Sequence, residues 1–208
     1  MHTNPPASIL RPEALSPKER YELLTSLIVP RPIGWISTRD PSGGLNLAPY
    51  SFFAALSASP LLVGVSIGAR RGEPKDTLRN VRETGAFCVN VVSSDLLEAM
   101  NASSAEVAPE IDEFRLAGLI PAPGEAVDAP RVSEARASLE CVVMKEVDLG
   151  VSPNTLIIGE VKAIHLSGEL ETLPGTMAVD PASLEPVGRL GGDAYTLLGE
   201  VRRIPRPR

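Results

Sequence analysis

Hydrophobic residues in this chain fall into short runs that are separated by Pro, Gly, Ser and Asp. Runs of this length are typical of β-strands, and most are too short for a helix. The two longest runs carry β-branched residues at alternating positions, which favours an antiparallel pair. We predict strands over residues 33–38, 45–50, 61–67, 86–92, 137–148 and 155–167, with a weak last strand near 197–204.

A few short helices are predicted between these strands. Ser16 and Glu19 form a capping box around Pro17 at the first helical position, so a helix begins there and runs to about Val29. Gly85 is placed to end another helix. The further helical segments predicted are 75–84, 93–100 and part of 110–117, and residues 118–131, rich in Pro and Gly, are predicted as a loop.

The order of these elements bounds the fold class. Strands do not alternate with long helices, so a doubly wound parallel sheet is disfavoured. We expect a mainly β protein with inserted short helices, built as a mostly antiparallel barrel. No internal repeat or second domain is evident, so residues 1–208 are predicted as one domain. Residues 1–15 are expected to form a loose arm, and 168–208 an extension that packs on the barrel or on a dimer partner.

Composition and charge narrow the classes of partner. The formal charge of −6 argues against nucleic acid, which rewards a basic surface. No apolar run approaches the length that crosses a bilayer, and the first ten residues lack the features of a secretion signal. We therefore expect a cytoplasmic protein without a membrane partner. Cys88 and Cys141 lie in apolar strand-like runs and are predicted as buried thiols.

The motifs and side chains that several common kinds of active site require are missing from this sequence. The sequence has no P-loop, and no Gly-rich motif opens a helix after a strand. His2 lies near the terminus and His165 in a predicted strand, so neither a metal site nor a Ser-His-Asp triad is expected. We predict no catalytic side chain. An enzyme of this composition would take its chemistry from an organic cofactor.

Residues 33–80 are the candidate for holding that cofactor. The segment NLAPYSFFAALSASP interleaves polar and aromatic side chains with Pro and small residues, a mixture typical of a wall against a flat ligand. Directly after it, Arg70, Arg71, Lys75 and Arg79 lie within ten residues. These cations favour an anionic group. The pattern predicts a planar ligand with a phosphate tail.

Four blocks, in this order and spacing, resemble the flavin reductase-like family with an FMN-binding split barrel. The resemblance extends from about residue 20 to 205 and rests on RPIGWISTRDPSGGLNLAPYSFFAALSASPLLVGVSIG, KDTLRNVRETGAFCVNVV, EAMNASS and PVGRLGGDAY. It implies a split β-barrel, a homodimer with FMN near the subunit interface, and NADH or NADPH as electron donor. In some members a partner monooxygenase receives the reduced flavin. Other members only carry FMN.

Carried over to this sequence, the resemblance implies a set of FMN contacts. Main-chain groups of residues 48–51 would meet the flavin ring, and residues 37, 38 and 46 the ring edge or ribityl chain. The phosphate would lie at the start of the helix that follows, with Asp76 as its N-cap. The flavin-binding residues implied are Ser37, Thr38, Asn46, Ala48, Pro49, Tyr50, Ser51, Ser66, Lys75, Asp76, Thr77, Asn101 and Arg189.

Plainer explanations of the same residues stay open at this point. The charges over 75–82 could be a solvated helix face. Tyr50 could point its ring into the core, with only its backbone at the flavin. Asn101 could be a helix C-cap, and Arg189 and Tyr195 could only tie down the tail. The protein could also be a non-catalytic FMN carrier, or a split-barrel binding module without redox turnover.

Overall fold

A computed structural model describes residues 9–70, 72–150 and 153–207 of the chain. Seven strands form one sheet in which all neighbours are antiparallel, in the order β2-β1-β5-β6-β7-β4-β3. The strands are β1 (Gly34–Arg39), β2 (Leu45–Tyr50), β3 (Phe53–Ala58), β4 (Leu61–Ile67), β5 (Ala86–Val91), β6 (Ala137–Asp148) and β7 (Thr155–Leu166).

The two edge strands of this sheet are consecutive in the chain. Only Ser51 and Phe52 separate the end of β2 from the start of β3. Because so short a link cannot span an open seven-stranded sheet, the sheet curls until its edges meet. The result is a barrel with a seam between β2 and β3, which confirms the predicted mainly β, split-barrel class.

Helices and short strands decorate this barrel. The capping box of Ser16 and Glu19 is formed as predicted. The helices are α1 (Pro17–Leu27), α2 (Asp76–Thr84), α3 (Leu97–Ala102), α4 (Glu113–Leu116) and α5 (Pro181–Leu184), with 3₁₀ turns at Pro12–Ala14 and Ser94–Leu96. Several two-residue strands form small separate sheets. Gly188–Arg189 pairs with Arg31–Pro32 on one side and with Tyr195–Thr196 on the other. Ala69–Arg70 pairs with Glu73–Pro74, and Pro121–Ala122 pairs with Arg131–Val132.

None of the helices in the described part of the chain combines the length and the apolar character that a bilayer-spanning helix needs. Cys88 and Cys141 are both buried and free, as expected. Burial raises the pKa of Cys141 to about 12, so its thiol stays protonated and unreactive at neutral pH.

Three predictions about elements need correction. Strand β3 was not predicted, because it is an edge strand, largely exposed, whose residues lack alternation and whose order comes from backbone pairing with β4. The predicted strand at 197–204 is wrong, since these exposed residues have no strand partner in the described ranges. The predicted loop at 118–131 contains the short strand at 121–122. Residues 1–8 of the predicted arm lie outside the described ranges.

Strand β1 separates two hydrophobic cores. Its side chains alternate between them, so that Ile36 packs inside the barrel and Trp35 packs outside it. Both residues are fully buried. The outer core is closed by α3, α4 and the segment around Val187. This second layer of packing positions α3 and α4 over the outer face of β1 and β2.

Two glycines allow aromatic rings to fill the barrel. A Cβ on Gly159 would lie 2.4 Å from Cζ of Phe87, and one on Gly34 would lie 2.8 Å from the ring of Phe53. Phe87 is fully buried in the inner core, and Phe53 packs against that core. Any larger residue at either glycine would have to displace an aromatic ring.

The side chain of Asn90 on β5 links strand β1 to the short strand at Val132 and to the start of β6. Its side-chain nitrogen donates to the carbonyl of Trp35 and to Oγ of Ser37, both at 3.0 Å. Its oxygen accepts from the backbone N–H of Val132 at 2.8 Å and from Oγ of Ser138 at 3.0 Å. Because Asn90 is fully buried, no water could replace these partners.

We therefore expect Asn90→Leu to destabilise the protein by about 3 kcal/mol, because it leaves buried backbone groups without partners. Ser138→Ala removes only one of the four hydrogen bonds and should cost about 1 kcal/mol. Urea unfolding of the three proteins measures both values. Equal losses in the two variants would show that the Asn90 amide does not organise this region.

Candidate functional site

A cleft of about 230 Å³ opens beside the barrel seam. Its walls come from β2, from the start of α2, from the segment that follows α3 and from α4. Main-chain and polar side-chain groups dominate it. The lining residues are Asn46, Ala48, Pro49, Tyr50, Arg70, Lys75, Asp76, Thr77, Ser103, Ser104, Ala105, Glu106, Val107 and Glu113.

The hydroxyl of Thr77 joins the start of α2 to β2. It accepts a hydrogen bond from Nδ2 of Asn46 at 2.9 Å and one from Oη of Tyr50 at 2.8 Å. Thr77 is only 1% exposed, and Asn46 and Tyr50 are buried as well. A hydroxyl has two acceptor sites and one proton. Since both acceptor sites are occupied, any further hydrogen bond of this hydroxyl would be one that it donates.

Thr38 on β1 supports this joint from behind. Its Oγ1 accepts from Nδ2 of Asn46 at 3.2 Å and from Nδ2 of Asn80 at 3.0 Å. Asn80 lies on α2, one turn after Thr77. The helix is therefore attached to the sheet at two successive turns, which fixes the direction of its N-terminus.

The N-terminus of α2 carries no side-chain cap. The N-cap residue is Lys75, whose extended backbone precedes the helix, and no side chain accepts from the first turn. The predicted N-cap role of Asp76 is therefore wrong, because Asp76 is already the first helical residue. Uncapped N–H groups at a helix N-terminus favour an anion, and the helix dipole adds to the attraction.

Most charges around the cleft are already paired. Arg70 lies 3.2 Å from Glu106 and also donates to the carbonyl of Val107. Arg79 contacts Asp76 and donates to the carbonyl of Pro74 at 2.6 Å. Lys75 differs, because within the described ranges it forms no ion pair, and its Nζ lies 5.6 Å from the centre of the Tyr50 ring. Among the described cations that line the cleft, Lys75 is thus the one that remains for a ligand.

Tyr50 points its ring into the inner core, the plainer of its two predicted orientations. Burial raises the pKa of its hydroxyl to about 12, although the hydrogen bond to Thr77 opposes the shift. The hydroxyl therefore stays protonated and donates to Thr77. Of Tyr50, only the main chain and the ring face that lies under Lys75 are open to the cleft.

Glu113 is an acid on the cleft wall that sequence reasoning missed. Its carboxylate accepts from the backbone N–H of Leu47 at 3.1 Å, and the residue is 7% exposed. Burial raises the pKa of this carboxyl, although the Leu47 hydrogen bond opposes the shift. The cause is desolvation, which disfavours the charged form of a buried carboxyl.

A second cleft, of about 210 Å³, adjoins the first. Pro49 and Ser104 line both clefts. The remaining lining of the second cleft mixes two tyrosines, apolar side chains, a hydroxyl and one arginine. These residues are Tyr21, Ile33, Ser51, Met100, Arg189 and Tyr195.

The structure brings most of the predicted site residues together. The first cleft is lined by seven of them: Asn46, Ala48, Pro49, Tyr50, Lys75, Asp76 and Thr77.

Ser51 and Arg189 line the second cleft, and Thr38 stands behind the first. Asn101, at the exposed end of α3, accepts from Oη of Tyr195 at 3.1 Å, so its side chain ties down the tail.

Two predicted residues lie apart from both clefts. Ser37 is fully buried, donates to the carbonyl of Pro130 and accepts from Asn90. Ser66 is half-buried on β4 and accepts from Nδ2 of Asn154 at 3.4 Å. In this single chain, neither side chain faces the cleft beside α2.

Two parts of the site were missed by sequence reasoning. Arg70 was recognised in the cation cluster, although its pairing with Glu106 could not be predicted. Residues 103–107 begin with the last two residues of the EAMNASS block, and these two serines were the available signal. Glu113 gave no signal, because its burial depends on the packing of α4 against β2. Arg71, also in the cluster, lies outside the described residues.

Comparisons with known proteins agree with this architecture. The family described as flavin reductase like domain matches residues 26–179. The uncharacterized protein BH2278 of Halalkalibacterium halodurans is 39% identical over 203 residues, covering 95% of this chain and 96% of that protein.

Two solved structures share the fold over nearly the whole chain. Component B of nitrilotriacetate monooxygenase from Bacillus cereus has a TM-score of 0.90 and 35% identity, covering 97% of this chain and 100% of that chain. A split barrel protein assigned as a flavin reductase, from Shewanella frigidimarina, has a TM-score of 0.83 and 26% identity, covering 94% and 96%.

The raised pKa of Glu113 predicts a pH-dependent effect of Glu113→Gln. The folded protein holds the proton more tightly than the unfolded chain, so ionisation lowers stability as pH rises from the unfolded pKa through the folded one. Glutamine keeps the acceptor for Leu47 without this titration. We expect the variant to gain stability relative to wild type between pH 4 and pH 7.5, measured by urea unfolding.

Glu98→Gln, at an exposed position on α3, is the matched control and should give the same difference from wild type at both pH values. A Glu113→Gln difference that stays constant with pH, or that falls as pH rises, would contradict the buried-acid account.

Proposed function

This chain belongs to the flavin reductase-like family, and we propose that it is an FMN-dependent oxidoreductase that takes electrons from NADH or NADPH. The observation that carries the proposal is the start of α2. There an uncapped helix end, the Thr77 side chain and Lys75, which has no ion pair among the described residues, lie on one cleft. This arrangement suits the phosphate of FMN.

The phosphate group fits these residues in charge and in donors. Backbone N–H groups of Asp76 and Thr77 would donate to its oxygens along the helix axis, and the Thr77 hydroxyl would add a third donor. Lys75 would neutralise part of the charge. Two neighbouring carboxylates are already compensated, because Arg79 contacts Asp76 and Arg70 pairs with Glu106.

The main chain of residues 48–51 is proposed to hold the flavin ring. Residues 48–50 end the edge strand β2 at the barrel seam and Ser51 follows them; among the described residues no further strand pairs with β2 on that side. Their backbone groups are therefore available to a planar ligand. Asn46 would lie between the ring and the phosphate, beside the ribityl chain.

When bound, the flavin supplies hydride acceptance from a reduced nicotinamide and onward electron transfer. The chain's own residues bind and orient it, and the walls of the cleft exclude water from its ring. No proton-transferring side chain is needed for that reaction. The absence of a catalytic triad in the sequence is consistent with this division of roles.

We also propose a homodimer of single-domain subunits. An apolar cleft of about 360 Å³ lies between the end of α1 and the start of β3, next to Ser51. Leu24 is 49% exposed there, Ile28 58% and Leu56 47%. A second copy of the chain would cover these side chains and come close to the flavin cleft.

We also propose a partner enzyme and a cytoplasmic location for the protein. Similarity to component B of a monooxygenase supports a partner monooxygenase that receives reduced flavin. The two free cysteines fit the reducing cytoplasm.

Oxidation of NADH and NADPH in the presence of FMN tests the activity. We expect FMN-dependent loss of absorbance at the nicotinamide band with one or both nucleotides. FMN that binds without any turnover would identify an electron carrier, the alternative that shares this fold. A protein that binds no flavin would leave the split barrel as a binding module for another ligand.

Lys75→Ala tests the position of the phosphate. We expect FMN binding to weaken at least tenfold, because a charge-assisted hydrogen bond is lost, and riboflavin binding to change by less than about twofold, since riboflavin has no phosphate. Fluorescence quenching measures both dissociation constants.

Arg82→Ala is the matched control. It removes a cation from the same helix, one that pairs with Glu146 and lies on neither cleft. FMN affinity should stay near that of wild type. Equal losses for FMN and riboflavin in Lys75→Ala would contradict the phosphate assignment.

A further inference from the structure

Arg189 is held in a fixed orientation at the second cleft. Its strand, Gly188–Arg189, pairs with Arg31–Pro32 on one side and with Tyr195–Thr196 on the other. The guanidinium lies 4.4 Å from the centre of the Tyr195 ring, and one of its amino groups donates to the carbonyl of Gly192. Tyr195 is itself anchored on Asn101. A side chain ordered in this way loses little entropy when it binds a ligand.

The charge of Arg189 is not matched within the described ranges, where no carboxylate lies within ion-pair distance of it. Arg136, also partly buried, is matched by Asp95 and Glu185, whereas the buried Arg31 bonds to Ser51 and to backbone carbonyls. A guanidinium has five N–H donors in a planar fork, and the contact with Gly192 uses one of its amino groups. Donors therefore remain for an anion.

The second cleft also suits the rest of a nucleotide. Tyr21 and Tyr195 offer aromatic surfaces, and the hydroxyls of Ser51 and Ser104 offer polar contacts. Pro49 and Ser104 make its floor continuous with the first cleft. A ligand that reached a flavin ring at residues 48–51 could lie in the second cleft with its charged part against Arg189.

We infer that Arg189 binds a phosphate of the reducing nicotinamide nucleotide, which occupies the second cleft while FMN occupies the first. This inference rests on the proposed function. From the sequence, Arg189 was expected to contact the flavin. We assign it a different ligand because it lines the second cleft and not the first. The phosphate is either the diphosphate that NADH and NADPH share or the 2′-phosphate of NADPH, since both present the same chemistry to a guanidinium.

Calorimetric titration of the protein as purified, with ADP-ribose and with its 2′-phosphate, tests the assignment without redox turnover. Arg189→Gln should weaken binding at least tenfold. Loss with both ligands assigns the diphosphate, and loss with the 2′-phosphorylated ligand alone assigns the 2′-phosphate. Equal affinities of wild type and Arg189→Gln for both ligands would overturn the inference.

Two further variants separate binding from structural support. Arg189→Lys keeps the charge and should recover part of the affinity, whereas loss of the stacking on Tyr195 alone would affect both variants equally and overturn the assignment. Arg202→Gln removes an exposed arginine that pairs only with Glu200 in the described tail, and it should bind both ligands as wild type does.

FMN binding distinguishes this inference from the proposed function. Arg189→Gln should bind FMN within about twofold of wild type, since Arg189 does not line the first cleft. A tenfold loss of FMN affinity would place Arg189 on the flavin and overturn the inference. If wild type binds no FMN while Arg189→Gln still weakens ADP-ribose, the proposed function fails and the phosphate assignment stands.

Discussion

The hydrogen bonds that converge on the hydroxyl of Thr77 are the interaction on which the site depends. Asn46 and Tyr50, both on the edge strand β2, donate to this one oxygen at the start of α2. The three residues are buried, so the bonds form in a low-dielectric environment and cannot be replaced by water. They hold a helix N-terminus against the open edge of the barrel, and the cleft is the space between the two.

Several properties of the cleft follow from this one joint. Because both acceptor sites of the Thr77 oxygen are occupied, this hydroxyl could meet a ligand only as a donor. Because Tyr50 donates from inside the core, its main chain is left at the surface and its ring supports Lys75. Because α2 is attached at Thr77 and again at Asn80, its uncapped end keeps one direction. Backbone, hydroxyl and ammonium groups thus lie together on one cleft.

Sequence patterns were sufficient for the elements whose physics is local. The capping box of Ser16, the alternation of the two long strands and the stop at Gly85 were read from neighbouring residues, and the structure confirms all three. The edge strand β3 was missed because its order depends on backbone pairing with β4, which leaves no hydrophobic alternation. The N-cap of α2 was misplaced by one residue, from Lys75 to Asp76.

The residues of the candidate site also divide into those that local sequence could predict and those that depend on tertiary packing. Lys75 and residues 46–50 could be predicted because the blocks that carry the resemblance contain them. The burial of Ser37 and Glu113 could not, since each depends on packing between segments far apart in sequence. Arg189 was predicted as a flavin contact, and only the tertiary structure shows that it lines the second cleft and not the one beside α2.

A crystal structure of the protein with FMN bound tests the central claim most directly. The account predicts the phosphate within hydrogen-bonding distance of the backbone N–H groups of Asp76 and Thr77 and of the Thr77 hydroxyl, with the ring against residues 48–51. A phosphate bound elsewhere, with the start of α2 facing solvent, would contradict the account.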